Sequence, residues 1–194
     1  MKLLSTTMIA SGILLGSMGA FAQKIKTKEG NPMILKDETS VNIEFSYNSM
    51  SVGKFNTEKE YIDKKTAEYN SKEAGKGDTW ASSWANDKPS RYQPKFIQLF
   101  TENSGMTVSP TAKYTLIFNT TSIEPGYNIG ITRKNAEIDA EVKIVETENR
   151  DKVLAVLTVS NAQGGTAFGY DFDSGLRISE AYALSGKKLA KYMK

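Results

Sequence analysis

The stretch that decides the fold is Glu137-Ile138-Asp139-Ala140-Glu141-Val142-Lys143-Ile144, followed after a short turn by Val153-Leu154-Ala155-Val156-Leu157-Thr158-Val159. In the first run apolar residues alternate with charged ones, which predicts a β-strand with one face on a core and the other in water. In the second run Leu154 and Val156 make both faces apolar, so we expect this strand to lie inside the sheet. The polar turn Glu148-Asn149-Arg150-Asp151 joins the two strands into an antiparallel hairpin.

Two strand patterns and three helix patterns precede the hairpin. Strands are predicted at 41–47 and 112–123, and helices at 58–73, from 78 onward, and from 94 to 103. The first helix opens with the capping box Thr57-Glu58-Lys59-Glu60, and Gly75 and Gly77 are expected to end it. Pro89 and Pro94 predict that the chain restarts between the second and third helices.

A last helix of about 20 residues follows the hairpin, capped by Asp173 or Ser174. It contains Gly186, and glycine inside a helix costs roughly 0.5–1 kcal/mol relative to alanine. We expect close packing to offset this cost, with Ala183, Gly186 and Ala190 facing the sheet.

The order of these elements predicts the fold class. Strands and helices are partly segregated and the hairpin is antiparallel, which favours an α+β fold: a small twisted, largely antiparallel sheet with helices mainly on one face. This single domain is expected over residues 41–194. Residues 23–40 are polar and charged, and we interpret them as an extended polar leader.

The amino terminus has the pattern of a signal peptide over residues 1–22. Lys2 precedes an apolar or small stretch from Leu3 to Gly19, and Ala20-Phe21-Ala22 is the small-x-small pattern that signal peptidase cleaves. Polar residues interrupt the stretch, which falls short of the ~20 apolar residues of a membrane span. We therefore expect a mature chain that begins at Gln23, has no membrane span, and is periplasmic or secreted.

The composition excludes several kinds of chemistry. The sequence contains neither histidine nor cysteine, which rules out disulfides, Ser-His-Asp and Cys-His catalysis, and zinc sites built on these residues. No glycine-rich phosphate loop is present, so we predict no cofactor and no enzymatic activity. Without residues 1–22 the chain has 24 basic and 22 acidic residues, an excess too small to predict a basic patch or a nucleic-acid partner.

Three crowded aromatic residues are candidate contacts for a ligand or partner. If Trp80, Trp84 and Tyr92 are exposed, they form a platform for a sugar ring or a peptide. If they are buried, they anchor the helices on the sheet. The i, i+4 spacing of the tryptophans makes one apolar helix face and favours the core interpretation.

Three charged residues are further candidate contacts. Arg133 lies at a small basic loop tip, which either meets an anionic group or is simply solvated. Asp171 and Asp173 have the Asp-x-Asp spacing of calcium loops, but the glutamate that would complete such a loop is missing. Capping of the last helix is therefore the favoured interpretation of these carboxylates.

Several stretches carry a resemblance to known proteins: Tyr114-Thr-Leu-Ile-Phe, Ile123-Glu-Pro-Gly-Tyr-Asn-Ile-Gly, Gly169-Tyr-Asp-Phe-Asp-Ser-Gly-Leu-Arg-Ile-Ser-Glu-Ala-Tyr, and the signal ending Ala20-Phe21-Ala22-Gln23. They resemble an exported family without known function from Bacteroides-type bacteria, over roughly residues 40–194. The order of elements is more remotely similar to the α+β module of curli-secretion lipoproteins and the TolB amino-terminal domain. That resemblance implies envelope assembly or interaction, although this chain lacks the cysteine that carries the lipid.

These observations together predict a non-catalytic interaction or assembly module of the cell envelope, periplasmic or secreted, with an envelope protein as its partner. The alternative is a small-ligand or glycan-binding protein that uses the aromatic residues as a platform. The solvent accessibility of Trp80 and Trp84 discriminates between these two functions. A carboxylate enzyme, such as a glycoside hydrolase, is a third alternative, but no spacing in the sequence nominates a pair of carboxylates for it.

Overall fold

The computed structural model describes residues 23–129, 132–164 and 173–194; the predicted signal peptide lies outside these ranges. The strands are β1 (Lys24–Gly30), β2 (Ser40–Ser46), β3 (Ser51–Val52), β4 (Thr107–Val108), β5 (Tyr114–Glu124), β6 (Tyr127–Ile129), β7 (Thr132–Lys134), β8 (Glu137–Glu146) and β9 (Val153–Gln163). The α-helices are α1 (Glu58–Asn70), α2 (Lys76–Asp87), α3 (Gln93–Ser104) and α4 (Ser174–Tyr192). None of the described helices is long and apolar enough to cross a membrane.

Seven of the described strands form one mixed sheet, in the order β1-β9-β8-β5-β2-β4, with β3 also paired to β5. The predicted hairpin of β8 and β9 is confirmed, and β9 lies inside the sheet between β8 and β1. β2 and β5 run parallel because α1, α2 and α3 connect them, and a connection of that length allows a crossover. The remaining pairings of the long strands are antiparallel, so the α+β prediction is confirmed.

The segment expected to be a polar leader is part of the domain. Over residues 23–40 the chain forms β1, which pairs antiparallel with β9 along its length, and then a 3-10 turn in which Leu35 is completely buried. The prediction of a separate leader is therefore wrong. An edge strand is exposed to water along one side and can carry charged residues that would not fit a central strand.

The core lies between one face of the sheet and the helices. Its largest side chains are aromatic and fully buried: Tyr92, Phe96, Phe100, Phe118 and Tyr182. Tyr92 stacks on Tyr182 with ring centroids 5.1 Å apart. The Tyr182 hydroxyl lies 2.6 Å from the Thr120 hydroxyl of β5, so a buried hydrogen bond ties α4 to the sheet.

At Gly186, α4 approaches α3 rather than the sheet. A Cβ atom at this position would overlap the carbonyl oxygen of Phe96 in α3. Ala183 borders a shallow depression that is lined by both Leu99 of α3 and Gln163 of β9. The expectation that Gly186 faces the sheet is therefore wrong, while the reason given for the glycine, close approach of two backbones, holds.

Hydrogen bonds between neighbouring residues determine where α1 begins. The cap at Thr57 is confirmed, since its hydroxyl accepts a hydrogen bond from the Glu60 N–H at 3.2 Å. The Glu60 carboxylate accepts its hydrogen bond from the Asn56 N–H, one residue before the cap. The helix ends at Asn70, earlier than expected. Gly75 and Gly77 lie at the beginning of α2 instead.

A π-helical segment, Lys88–Tyr92, joins α2 and α3 without a break. Pro89 has no backbone N–H, and the N–H of Gln93 reaches back five residues to the carbonyl of Lys88. The predicted break between the helices is therefore wrong, because one extra residue in the turn accommodates the missing donor. Pro94 lies in the first turn of α3, as its missing N–H predicts. Such segments change which side chains face the core, and this one shapes the site described next.

Candidate ligand groove between α2 and α4

A surface groove of about 540 Å³ lies between the end of α2, the π-helical segment and the start of α4. Three of the candidate residues, Trp80, Trp84 and Asp173, line it together, although Asp173 is far along the chain from the tryptophans. The rest of the lining is polar or small: Ser83, Asn86, Asp87, Arg91, Ser174 and Gly175. The fold thus combines in one place the aromatic and acidic candidates that the sequence indicates separately.

The two tryptophans have different roles in the groove wall. Their indole rings stack with centroids 5.8 Å apart and planes 29° from parallel. Trp84 is only 3% exposed, and its Nε1 donates a hydrogen bond to Glu58 at 2.6 Å, so it belongs to the core. Trp80 is half-buried, with its ring also 5.6 Å from that of Tyr61 and 5.7 Å from that of Tyr69, and it is the less buried of the two tryptophans in the groove lining.

The remaining candidate contacts do not join the groove. Tyr92 has no exposed surface because the π-helical segment turns it onto Tyr182 in the core, so the structure contradicts its assignment as a ligand contact. Arg133 is exposed in β7, away from the groove lining. Asp171 lies outside the described residues.

A network of charges forms the side of the groove opposite the tryptophans. Arg91 donates two hydrogen bonds to Asp173, at 3.0 and 2.6 Å, and one to Asp87 at 3.3 Å. Asp173 also accepts a hydrogen bond from the Leu176 N–H at 3.0 Å, which confirms its prediction as the cap of α4. Within the described ranges no group of three potential ligands is placed to hold a metal ion.

The electrostatics of the two carboxyl groups differ. The hydrogen bonds from Arg91 hold the pKa of Asp173 below its ordinary value. Burial raises the pKa of Asp87, against the opposing effect of Arg91. Asp87 packs so closely on the start of α4 that a Cβ atom at Gly175 would overlap its carboxylate and the Arg91 guanidinium, so a larger residue there would displace these two side chains.

The groove continues past Trp80. On the side toward the start of α2, the same residue borders a second depression of about 520 Å³ between Glu73 and Thr79. Trp80 thus belongs to the lining of both depressions along α2. A molecule that occupies both would be elongated and would cross the ring.

Sequence reasoning missed Asp87 and Arg91. Their i, i+4 spacing indicates an ion pair on one helix face, which is the only signal the sequence carries for them. Arg91 donates two hydrogen bonds to Asp173 and only one to Asp87. The contact with Asp173 depends on the packing of α4 beside the π-helical segment. No local pattern indicates that contact.

Comparison with known proteins gives no family for this chain. No known protein family matches it, and no curated protein does. Among solved structures it is similar to the PelC dodecamer from Paraburkholderia phytofirmans, with 11% identity over 84% of this chain and 97% of that chain and a TM-score of 0.36. A point variant of that dodecamer gives 10% identity, 84% and 96% coverage, and the same TM-score. Likeness at this level indicates no function.

Proposed function

We propose that this protein is a non-catalytic binding module of the cell envelope, and that the groove between α2 and α4 holds an elongated, polar, ring-containing ligand such as an oligosaccharide. The observation that carries the proposal is the convergence of the half-buried Trp80 ring and the Arg91–Asp173 pair on one groove. Export to the envelope is the part of this proposal that rests on residues 1–22.

The chemistry of the groove suits a sugar. The apolar face of a sugar ring packs on an aromatic ring, while its hydroxyl groups hydrogen-bond with charged side chains at the edge. The side chains of Arg91 and Asp173 stay 33% and 49% exposed within their ion pair, so both retain polar edges for a ligand. The two hollows on either side of Trp80 favour a ligand of more than one ring.

The ionisation of Asp173 supports a binding role for this carboxylate. A general acid or base works best with a pKa near the operating pH. Arg91 moves the pKa of Asp173 in the opposite direction, away from neutrality, and the guanidinium itself stays charged. The Asp173 carboxylate is thus positioned as a fixed hydrogen-bond acceptor, whereas burial raises the pKa of Asp87.

The test is calorimetric titration with a panel of oligosaccharides and peptidoglycan fragments, comparing Trp80→Leu with Tyr114→Leu. Both residues are partly buried aromatics packed against the core, but only Trp80 lines the groove. We expect Trp80→Leu to weaken binding by about tenfold and Tyr114→Leu to leave it unchanged. Equal losses in both variants, or no binding by the wild type, would contradict the proposal.

Iodide quenching of fluorescence checks the exposure on which the proposal depends. The wild type has two tryptophans, and we expect iodide to quench the half-buried Trp80. In Trp80→Phe the remaining emission comes from Trp84, which is 3% exposed and should resist quenching. Strong quenching in that variant would mean that Trp84 is not part of the core.

A second candidate function, docking of an envelope protein, is favoured by an apolar depression between α3 and α4. It measures about 360 Å³ and is lined by Leu99, Ala183 and Leu184, with charged residues at its rim. An apolar centre with a polar rim is typical of protein interfaces. We expect Leu184→Asp to abolish capture of a partner from envelope fractions, whereas equal capture by the variant would exclude this surface.

A further inference from the structure

The charges that line the groove between α2 and α4 do not cancel. The described lining contains two carboxylates, Asp87 and Asp173, and one guanidinium, that of Arg91, which gives it a net charge of −1. Lys88 follows Asp87 in the chain but does not neutralise the groove, because its ammonium lies 2.7 Å from Glu58 in an ion pair of its own. The groove therefore suits a positively charged group of a ligand better than a negative one.

Arg91 compensates the two carboxylates unequally. It donates two hydrogen bonds to Asp173, at 3.0 and 2.6 Å, but only one to Asp87, from Oδ1 of which it lies 3.3 Å away. Asp173 also accepts the N–H of Leu176 and thereby occupies the positive end of the α4 dipole. Asp87 is thus the carboxylate whose charge is compensated least.

One oxygen atom of Asp87 is left without a donor. Among the described residues, no N–H or O–H group donates a hydrogen bond to its Oδ2 atom. The atom lies beside Gly175, where any side chain would overlap it, so the glycine keeps this oxygen uncovered. The Asp87 side chain is 18% exposed. A carboxylate so far withdrawn from water is unfavourable unless donors satisfy it, and its raised pKa reflects this burial.

We propose that the ligand of the groove is an oligomer of an amino sugar with free, protonated amino groups, one of which binds the Asp87 carboxylate. This inference rests on the proposed function, since it specifies the sugar that the groove holds. An ammonium group has three donors and no acceptor, and its hydrogen bond to a carboxylate is about twice as strong as one between neutral groups. An N-acetylated sugar has a neutral amide there, with a single N–H donor.

The overall charge of the chain would not produce this preference. Without residues 1–22 the chain has 24 basic and 22 acidic residues, so a general electrostatic attraction would favour an anion. Residues 165–172, which precede Asp173 and α4 in the sequence, contain no lysine or arginine that would reverse the sign of the groove. A preference for an amine would therefore be a local property of the groove.

The test is calorimetric titration of the chain from Gln23 to Lys194, which includes every described strand and helix. The probes are a glucosamine tetramer and its fully N-acetylated counterpart, at a mildly acidic pH that keeps the amines protonated. Because a hydrogen bond to a charged group contributes strongly, we expect the wild type to bind the glucosamine tetramer at least about tenfold more tightly. Asp87→Asn keeps the size of the side chain and removes its charge, so this variant should bind the two tetramers with similar affinity.

The matched control is Asp63→Asn, which removes the same charge from an exposed residue of α1 outside the groove lining and should retain the preference. The urea midpoint of Asp87→Asn checks that the variant is folded, and the comparison of the two tetramers on the wild type does not depend on any variant.

Two results would overturn the inference and leave an oligosaccharide groove in place. One is a wild type that binds the N-acetylated tetramer as tightly as the glucosamine tetramer, or more tightly. The other is an equal loss of preference in Asp87→Asn and Asp63→Asn, because the attraction would then not arise in the groove. If neither tetramer nor any other sugar of the panel binds, the proposed function itself is contradicted, and the inference falls with it.

Discussion

Replacing Gly186 with alanine tests the contact between α4 and α3. The added methyl group would overlap the Phe96 carbonyl oxygen and lie 3.1 Å from the carbonyl carbon and 3.2 Å from the Phe100 nitrogen. An ordinary carbon–oxygen contact is about 3.3 Å or longer. All three are backbone atoms, so no rotamer change makes room and the helices must separate.

The magnitude follows from two opposing effects. Alanine is the better helix former by up to about 1 kcal/mol, while overpacking costs typically ~1–3 kcal/mol. We expect the clash to dominate and Gly186→Ala to lose about 1 kcal/mol of unfolding free energy. A shift of α3 also disturbs Phe96, whose ring packs 4.8 Å from that of Phe118 in the sheet, and Gly186→Leu should lose more.

The assay is urea unfolding of the chain from Gln23 to Lys194. With a slope of ~1–3 kcal/mol per molar urea, the midpoint of Gly186→Ala should fall by several tenths of a molar. Lys187→Ala is the matched control, because Lys187 is the exposed neighbour in the same helix and its removal should change stability by no more than about 0.5 kcal/mol. A midpoint that rises for Gly186→Ala would refute the packing of α4 on α3 through this residue.

Three further predictions concern the core, the groove and the amino terminus. Tyr182→Phe leaves the Thr120 hydroxyl buried without its partner, so urea unfolding should show a loss of ~1–3 kcal/mol, and Thr120→Val in the same chain should recover part of it. Because Arg91 lowers the pKa of Asp173 from 3.8, the ion pair stabilises the fold above that pH, and the stabilisation is lost as the pH falls through the lowered value. Asp173→Asn, which still caps the helix, should therefore flatten the decline of the urea midpoint below about pH 4, and an unchanged decline would exclude this pair as its cause. The intact mass of the protein from the producing cell should correspond to a chain that begins at Gln23, and a mass that includes residues 1–22 would contradict cleavage.

Local patterns predicted the elements that depend on local chemistry. The alternation in β8 and β9 predicted the hairpin, and the capping residues Thr57 and Asp173 predicted where α1 and α4 begin. These signals work because a strand face and a helix cap each depend on residues close together in the sequence. β1 was not predicted as a strand, because an edge strand rich in lysine has the composition of a solvated segment.

The groove shows what the sequence alone could not predict. Trp80, Trp84 and Asp173 could be nominated from the sequence, since aromatic and acidic residues stand out by type. Their convergence depends on the docking of α4, and the burial of Tyr92 beside the half-buried Arg91 depends on the π-helical turn. Both are decided by packing between distant segments, which no short pattern records.

The pairing of β1 with β9 has a consequence for the order of folding. Lys24 lies opposite Ser160 of β9, the last described strand. The first described strand therefore has no partner until the chain has been made as far as β9. Closing such a long loop is entropically costly, and contacts between distant segments slow folding. This topology delays completion of the sheet until β9 has been made, and any product truncated before β9 keeps an unpaired lysine-rich strand.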